Sequence, residues 1–203
     1  MTIFDLLFLA LLPALAVWLA RAFYWTAGNE WGRARRLWLE LGAAAAVYMS
    51  VVAATSMATP RRRLRMGEDQ CFDDWCLAAE RVTRVGGEFC AVTLRVSSRA
   101  RRVRQREWDA GVRLLDGRGR RYEVSAAGQR AFEAANGRAR PLSDELGPEE
   151  AFETVRVFEV PGEPEGLALE VTHGAWPGLF IIGGEGSLFH RDTVTDLVVS
   201  TAK

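Results

Sequence analysis

Glu88-Phe89-Cys90-Ala91-Val92-Thr93-Leu94-Arg95-Val96-Ser97-Ser98 alternates apolar and polar residues with a period of two. Cys90, Val92, Leu94 and Val96 fall on one side, and Thr93 and Arg95 on the other. That is the pattern of a half-buried β-strand. Cys90 is in phase with the apolar side, so it is expected to be a small buried core residue. Upstream, Leu77–Val85 reads as a partner strand across a Val-Gly-Gly turn at 85–87. Downstream, Gly111–Asp116 and Arg120–Val124 flank Asp116-Gly117-Arg118-Gly119, a tight hairpin signal. A short helix is expected near Gln129–Ala135, followed by a loop through Pro141. Phe152–Val160 alternates again, with Phe152, Val155, Val157 and Val160 expected inward and Arg156 and Glu159 between them. Leu167–Thr172 and Thr193–Ser200 complete the set, with Leu179–Ile182 a short apolar run. Short strands, turn-rich connections and no βαβ rhythm predict an antiparallel β-sandwich over 71–203.

Toward the N-terminus the period changes. Ile3–Ala20 is eighteen residues with one charge, Asp5. As a helix it covers roughly 27 Å, about a hydrocarbon core. An aspartate stands where a signal peptide needs positive charge, and Phe23-Tyr24-Trp25 follows as an interfacial aromatic belt would. Leu37–Ala58 is a second apolar stretch with Glu40 its one charge. Its Gly42 and Ala46 are spaced to let two helices approach closely in lipid. The expectation is a transmembrane helical hairpin over 1–59, a connecting loop at 21–36 and a juxtamembrane linker at 60–70. Arg21, Arg33, Arg35 and Arg36 place that loop in the cytoplasm by the positive-inside rule. The N-terminus and the sandwich then lie outside a cytoplasmic (inner) membrane crossed twice. Arg61, Arg62, Arg63 and Arg65 read as an interfacial anchor, although the rule disfavours them on that side.

Charge is unevenly shared. Residues 66–203 carry 23 acids and 18 bases, about −5 net, within a chain of formal charge zero. A net acidic domain argues against nucleic acid as a partner. One lysine against 25 arginines reads as a GC-rich coding bias, hence a bacterium.

Of the three cysteines, a bridge between Cys71 and Cys76 would persist in an oxidising compartment. Cys71 and Cys76 bracket Phe-Asp-Asp-Trp and are close enough for a local disulfide, with free thiols or a metal site as alternatives.

The order of an early strand pair, the hairpin Leu114-Leu-Asp-Gly-Arg-Gly-Arg-Arg-Tyr122 and the acid-rich lead into Val155-Arg-Val-Phe-Glu-Val-Pro161 resembles bacterial immunoglobulin-like extracytoplasmic domains of unknown function. The resemblance covers most of 75–200. It implies an immunoglobulin-like sandwich tethered to the outer face of a membrane, and brings no catalytic residues.

No motif establishes an enzyme. Ser187, His190 and Asp192 crowd into six residues, whereas triad members usually come from separate segments. Gly183-Gly-Glu-Gly186 lacks the Lys-Ser/Thr of a phosphate loop. Glu68, Asp69, Asp73 and Asp74 match no EF-hand spacing, so an acidic turn is preferred to a calcium site. His173 and His190, the only histidines, make a weak metal argument. No catalytic residue, metal or cofactor is expected. The expected interaction surface is Arg99, Arg101, Arg102, Arg104 and Arg106 with Trp108 and Trp176, Trp75 being a further aromatic to test. Its partners would be anionic headgroups or a protein. The sequence therefore leads to a membrane-anchored, non-enzymatic binding or scaffolding module. The alternatives are a small subunit of a membrane complex acting through its hairpin, or a hydrolase using Ser187 and His190.

Overall fold

In the computed structural model, which describes residues 3–162, 165–173, 189 and 192–199, the chain begins with two helices, α1 (Ile3–Ala27) and α2 (Trp31–Ala58). At 1.5 Å per residue, helices of 25 and 28 residues are about 37 and 42 Å long. Both are long and apolar enough to cross a membrane. The expected sixteen-residue connection shrinks to Gly28, Asn29 and Glu30, with Asn29 in the left-handed region at φ 58°. No helix breaker stands between Arg21 and Gly28, and arginine and tryptophan both tolerate a helix, so the arginines ride on helix ends rather than on a loop. Trp38 Nε1 donates to Thr26 Oγ1 at 3.2 Å, and the Trp38 ring meets Phe23 edge-on at 5.2 Å. The Arg33 guanidinium sits 4.8 Å from the Trp25 ring and pairs with Glu30. Among the described residues of the helices the buried small side chains include Ala22, Ala34 and Ser56, whereas Gly42 and Ala46 are exposed. A Cβ at Gly42 would meet nothing within 4 Å, so the close approach expected there is not formed.

The described residues divide into two units, one holding α1 and α2 and the other beginning at Arg61. The second holds two sheets. One has the order β2 (Gln70–Phe72), β3 (Trp75–Val85), β4 (Phe89–Ser98), β7 (Ala151–Glu159). The other has the order β1 (Arg63–Leu64), β9 (Val194–Asp196), β8 (Ala168–Thr172), β5 (Gly111–Leu115), β6 (Arg121–Tyr122). Every pairing is antiparallel except β1 with β9, which run parallel. β1 falls within 60–70, the stretch read as linker, because two residues inside an arginine run carry no period to recognise.

One apolar core lies between the sheets. Trp75, Leu77, Cys90, Val92, Leu94 and Val96 face Val112, Leu114, Leu169 and Val171. In β4 the expected inward set is the observed one. In β3 a bulge between Ala79 and Arg81 moves the inward side from odd positions to even, so Val82 rather than Arg81 is buried.

β7 departs from the reading of its sequence. Its partners on β4 put Phe152, Arg156 and Phe158 on the side of Val96, Val92 and Cys90. Val155 and Val157 therefore face away from the core, and α3 (Ala126–Asn136) packs on β7 there. Gln129 spans the contact: its Oε1 accepts from Val157 N at 3.0 Å and its Nε2 donates to Val155 O at 3.1 Å. α3 starts earlier than expected because the Ser125 hydroxyl accepts from Gly128 N at 3.2 Å and caps it.

Candidate functional site

The β2–β3 turn is cross-linked where its strands pair directly. Cys71 and Cys76 are register partners with Cα atoms 4.0 Å apart, and their sulfurs form a disulfide. Asp73, at φ 54°, makes the turn. The acidic residues around it are engaged by their neighbours. Asp69 takes Arg95 and Arg99 at 3.0 Å each, Glu68 accepts from Arg65 N at 2.8 Å, and Asp74 accepts from Gln105 at 3.4 Å. Among the described residues no group of three or more His, Cys, Asp or Glu side chains converges as metal ligands would. The third cysteine, Cys90, is free and buried, and burial pushes its thiol up against the lowering influence of Arg84.

The connection after β4 carries the five arginines of the expected surface, and they divide by partner. Arg99 is tied to Asp69, and Arg104 lies 3.7 Å from Glu145. Arg106 donates to Ser143 O at 2.8 Å and stacks 3.5 Å above the Trp108 ring. Arg101 and Arg102 are exposed beside Val103, which is 60% exposed. Trp75 is buried in the core, so it presents no binding face. Trp176, Ser187, His190 and the Gly183–Gly186 run lie outside the described residues. The His173 ring lies tilted against Phe72, with centroids 4.1 Å apart and planes at 54°.

Beside Trp108 opens a cleft of about 470 Å³. Trp108 (68% exposed) and Ala110 form its rim, and Gly111, Val112 and Arg113 of β5 form one wall. Leu142 and Ser143 line it from the loop before β7, and Glu123, Val124 and Thr172, the last beside Gly111, complete the lining. Arg156 of β7 reaches it from the core side of the sheet. Here the structure corrects the sequence: Arg156 was expected outward and is half-buried. Its Nη1 donates to Thr154 Oγ1 at 2.9 Å and Val155 O at 2.8 Å, and its Nη2 donates to Arg140 O at 2.9 Å. Burial lowers its basicity and Glu133 opposes that; a guanidinium starts so high that it stays charged at neutral pH.

The neighbouring Arg113 is neutralised. Glu170, 0% exposed on β8, accepts from both Arg113 Nε and Arg61 Nη2, the latter at 2.8 Å. Arg61 Nε also donates to Asp192 O at 3.0 Å, and Arg63 pairs with Asp196 at 2.9 Å. Burial raises the Asp192 carboxyl, the Glu170 charge adds to the effect, and Arg113 works against it. The arginines read as an interfacial anchor are thus in part ion-pair partners of the sandwich. Sequence reasoning missed Arg156 and Glu170. The one available signal was a charged residue within each apolar strand run.

No protein-family model and no curated protein matches the chain. Solved structures to which the chain is similar include a secreted protein from Mycobacterium tuberculosis, MPT63, at 12% identity and TM-score 0.43, over 68% of this chain and 98% of that one. An uncharacterised β-sandwich protein from Clostridium difficile 630 aligns at 8% identity and TM-score 0.41, over 69% and 96%. A conserved hypothetical protein from Bacillus anthracis aligns at 13% identity and TM-score 0.41, over 53% and 89%. Likenesses of this size say nothing of ligand, partner or activity.

Proposed function

We infer that the chain is a membrane-anchored, non-enzymatic module whose α1–α2 hairpin holds an immunoglobulin-like sandwich outside the cytoplasmic membrane. The observation that carries the reading is the helix pair, of bilayer-matching length and exposing Leu9, Leu12, Leu15, Val17 and Val47. Aromatic and arginine side chains gather at its turn, where an interface would put them. Arg61 and Arg63 belong to a folded domain of about 140 residues, and long domains weigh little in the positive-inside rule. That weakens the objection they raise to an outside sandwich. The Cys71–Cys76 disulfide favours the same side.

The strand order supports the immunoglobulin-like part. β3-β4-β7 opposite β9-β8-β5-β6 follows the A-B-E and G-F-C-C′ order of that architecture. One end of the sandwich gathers Arg61, the disulfide turn and the arginine connection. Arg99 N donates to Asp74 O at 2.7 Å, and Phe72 meets His173 just beyond β8. Two residues, Thr59 and Pro60, separate α2 from Arg61. We therefore assign anionic headgroups as the partner of exposed Arg101 and Arg102, with about 1 kcal/mol available per basic residue near such a surface.

Alkaline carbonate extraction combined with protease treatment of intact spheroplasts tests the anchoring. The chain is expected to stay in the membrane pellet and to lose its sandwich to external protease, leaving a hairpin fragment. Release into the carbonate supernatant would overturn the proposal.

A further inference from the structure

We propose that the Arg156 cleft binds a small ligand bearing a carboxylate or phosphate group on an apolar or aromatic body. An arginine has five N–H donors. Three of those on Arg156 go to Thr154 Oγ1, Val155 O and Arg140 O. Among the described residues one donor on Nε and one on Nη2 have no acceptor. These two atoms form one edge of the guanidinium, the edge that grips a two-oxygen anion side-on.

No carboxylate pairs with this guanidinium among the described residues, whereas ion pairs engage Arg61, Arg113, Arg120 and Arg140. Glu133 acts on it only from beyond ion-pair distance; a half-buried charge with no direct ion pair is costly, and an anion arriving from solvent would relieve that cost. The three carbonyl and hydroxyl acceptors hold the side chain in place, so a ligand would meet a preorganised fork.

The rest of the cleft suits the rest of such a molecule. Val112, Val124 and Leu142 offer apolar wall beside polar Glu123, Ser143 and Thr172, and the exposed Trp108 adds an aromatic ring. The Thr172 hydroxyl lies against Gly111, 2.8 Å from where a Cβ would stand, so a side chain at 111 would crowd this wall. The volume holds a molecule of one ring and a short substituent, at the lower end of ligand pockets. The site lies wholly within the sandwich and is independent of the anchoring reading, whose failure carbonate extraction would report separately.

Fluorine NMR with the full-length chain in detergent micelles tests this. The probes are 4-fluorobenzoate and 4-fluorophenyl phosphate, with 4-fluorobenzyl alcohol as the control for partition into micelles. Saturable broadening of at least one anionic probe beyond the alcohol is expected, weakened at least tenfold in Arg156→Gln. The relative response of the two probes tells carboxylate from phosphate. Should Arg156→Gln fail to fold, Ala110→Trp fills the cleft from its rim and is expected to abolish the same broadening. Broadening no greater than that of the alcohol, or unchanged in a folded Arg156→Gln or Ala110→Trp chain, would overturn the proposal.

Discussion

Asp116 holds the β5–β6 turn with both carboxylate oxygens. Oδ1 accepts from the Arg118 and Arg120 amides at 2.9 Å each, and Oδ2 accepts from Arg120 Nε at 2.6 Å and the Tyr122 hydroxyl at 3.0 Å. Burial pushes the carboxyl up, but these four donors outweigh it and draw it down to about 2. A depressed carboxyl contributes stability that is full above its unfolded value near 4 and is lost as pH falls through its folded value. Asp116→Asn is therefore expected to lower the thermal midpoint at pH 6, with the gap to the wild type closing between about pH 4 and pH 2. A gap that stays constant across that range would show that the charge is not what holds the turn. The turn itself was legible, since Asp-Gly-Arg-Gly is a hairpin signal, but the role of Tyr122 was not. Nothing local in the sequence orders a phenol six residues away. The same holds for Arg61, whose carboxylate partner Glu170 is 109 residues distant.

At the scale of the element, strands facing one neighbour were readable and strands facing two were not. In β4, the core side is apolar and the other side mixed, and the period of two stands out. In β7, Val155 and Val157 lie under α3 while Phe152 and Phe158 face the core, so both sides are apolar and the phase is ambiguous. Gly128 marks the contact with α3. A Cβ there would stand 2.8 Å from the Phe89 ring and 2.9 Å from Val157 Cγ1. Gly128→Ala gains up to about 1 kcal/mol of helix propensity and incurs about 1–3 kcal/mol of overpacking. The expected balance is a loss of roughly 1 kcal/mol in chemical denaturation; a gain would mean that α3 can shift off β7. The disulfide acts on its element too. Opening the six-residue loop from Cys71 to Cys76 removes about 2 kcal/mol on the chain-entropy estimate, or roughly 5–10 °C of thermal midpoint. Scanning calorimetry of the Cys71→Ser/Cys76→Ser chain measures it, and an unchanged midpoint would assign the turn's stability to its strand pairing instead.

For the whole molecule, the sequence located both apolar helices and the sandwich, because hydrophobic period and length are properties of long segments. It misplaced their edges, where arginine and tryptophan extend α1 and α2 into what reads as a loop. It also hid β1, whose pairing with β9 spans the length of the sandwich unit. The central claim is that the hairpin threads the membrane twice and leaves the sandwich outside. Labelling of intact cells with a membrane-impermeant maleimide reads this directly. Cys71 and Cys76 are bridged and Cys90 is buried, so the account predicts little labelling at first. After an impermeant reductant it predicts strong labelling at Cys71 and Cys76. Labelling of these cysteines without reductant, and from the cytoplasmic side alone in inverted vesicles, would contradict the topology and the disulfide together.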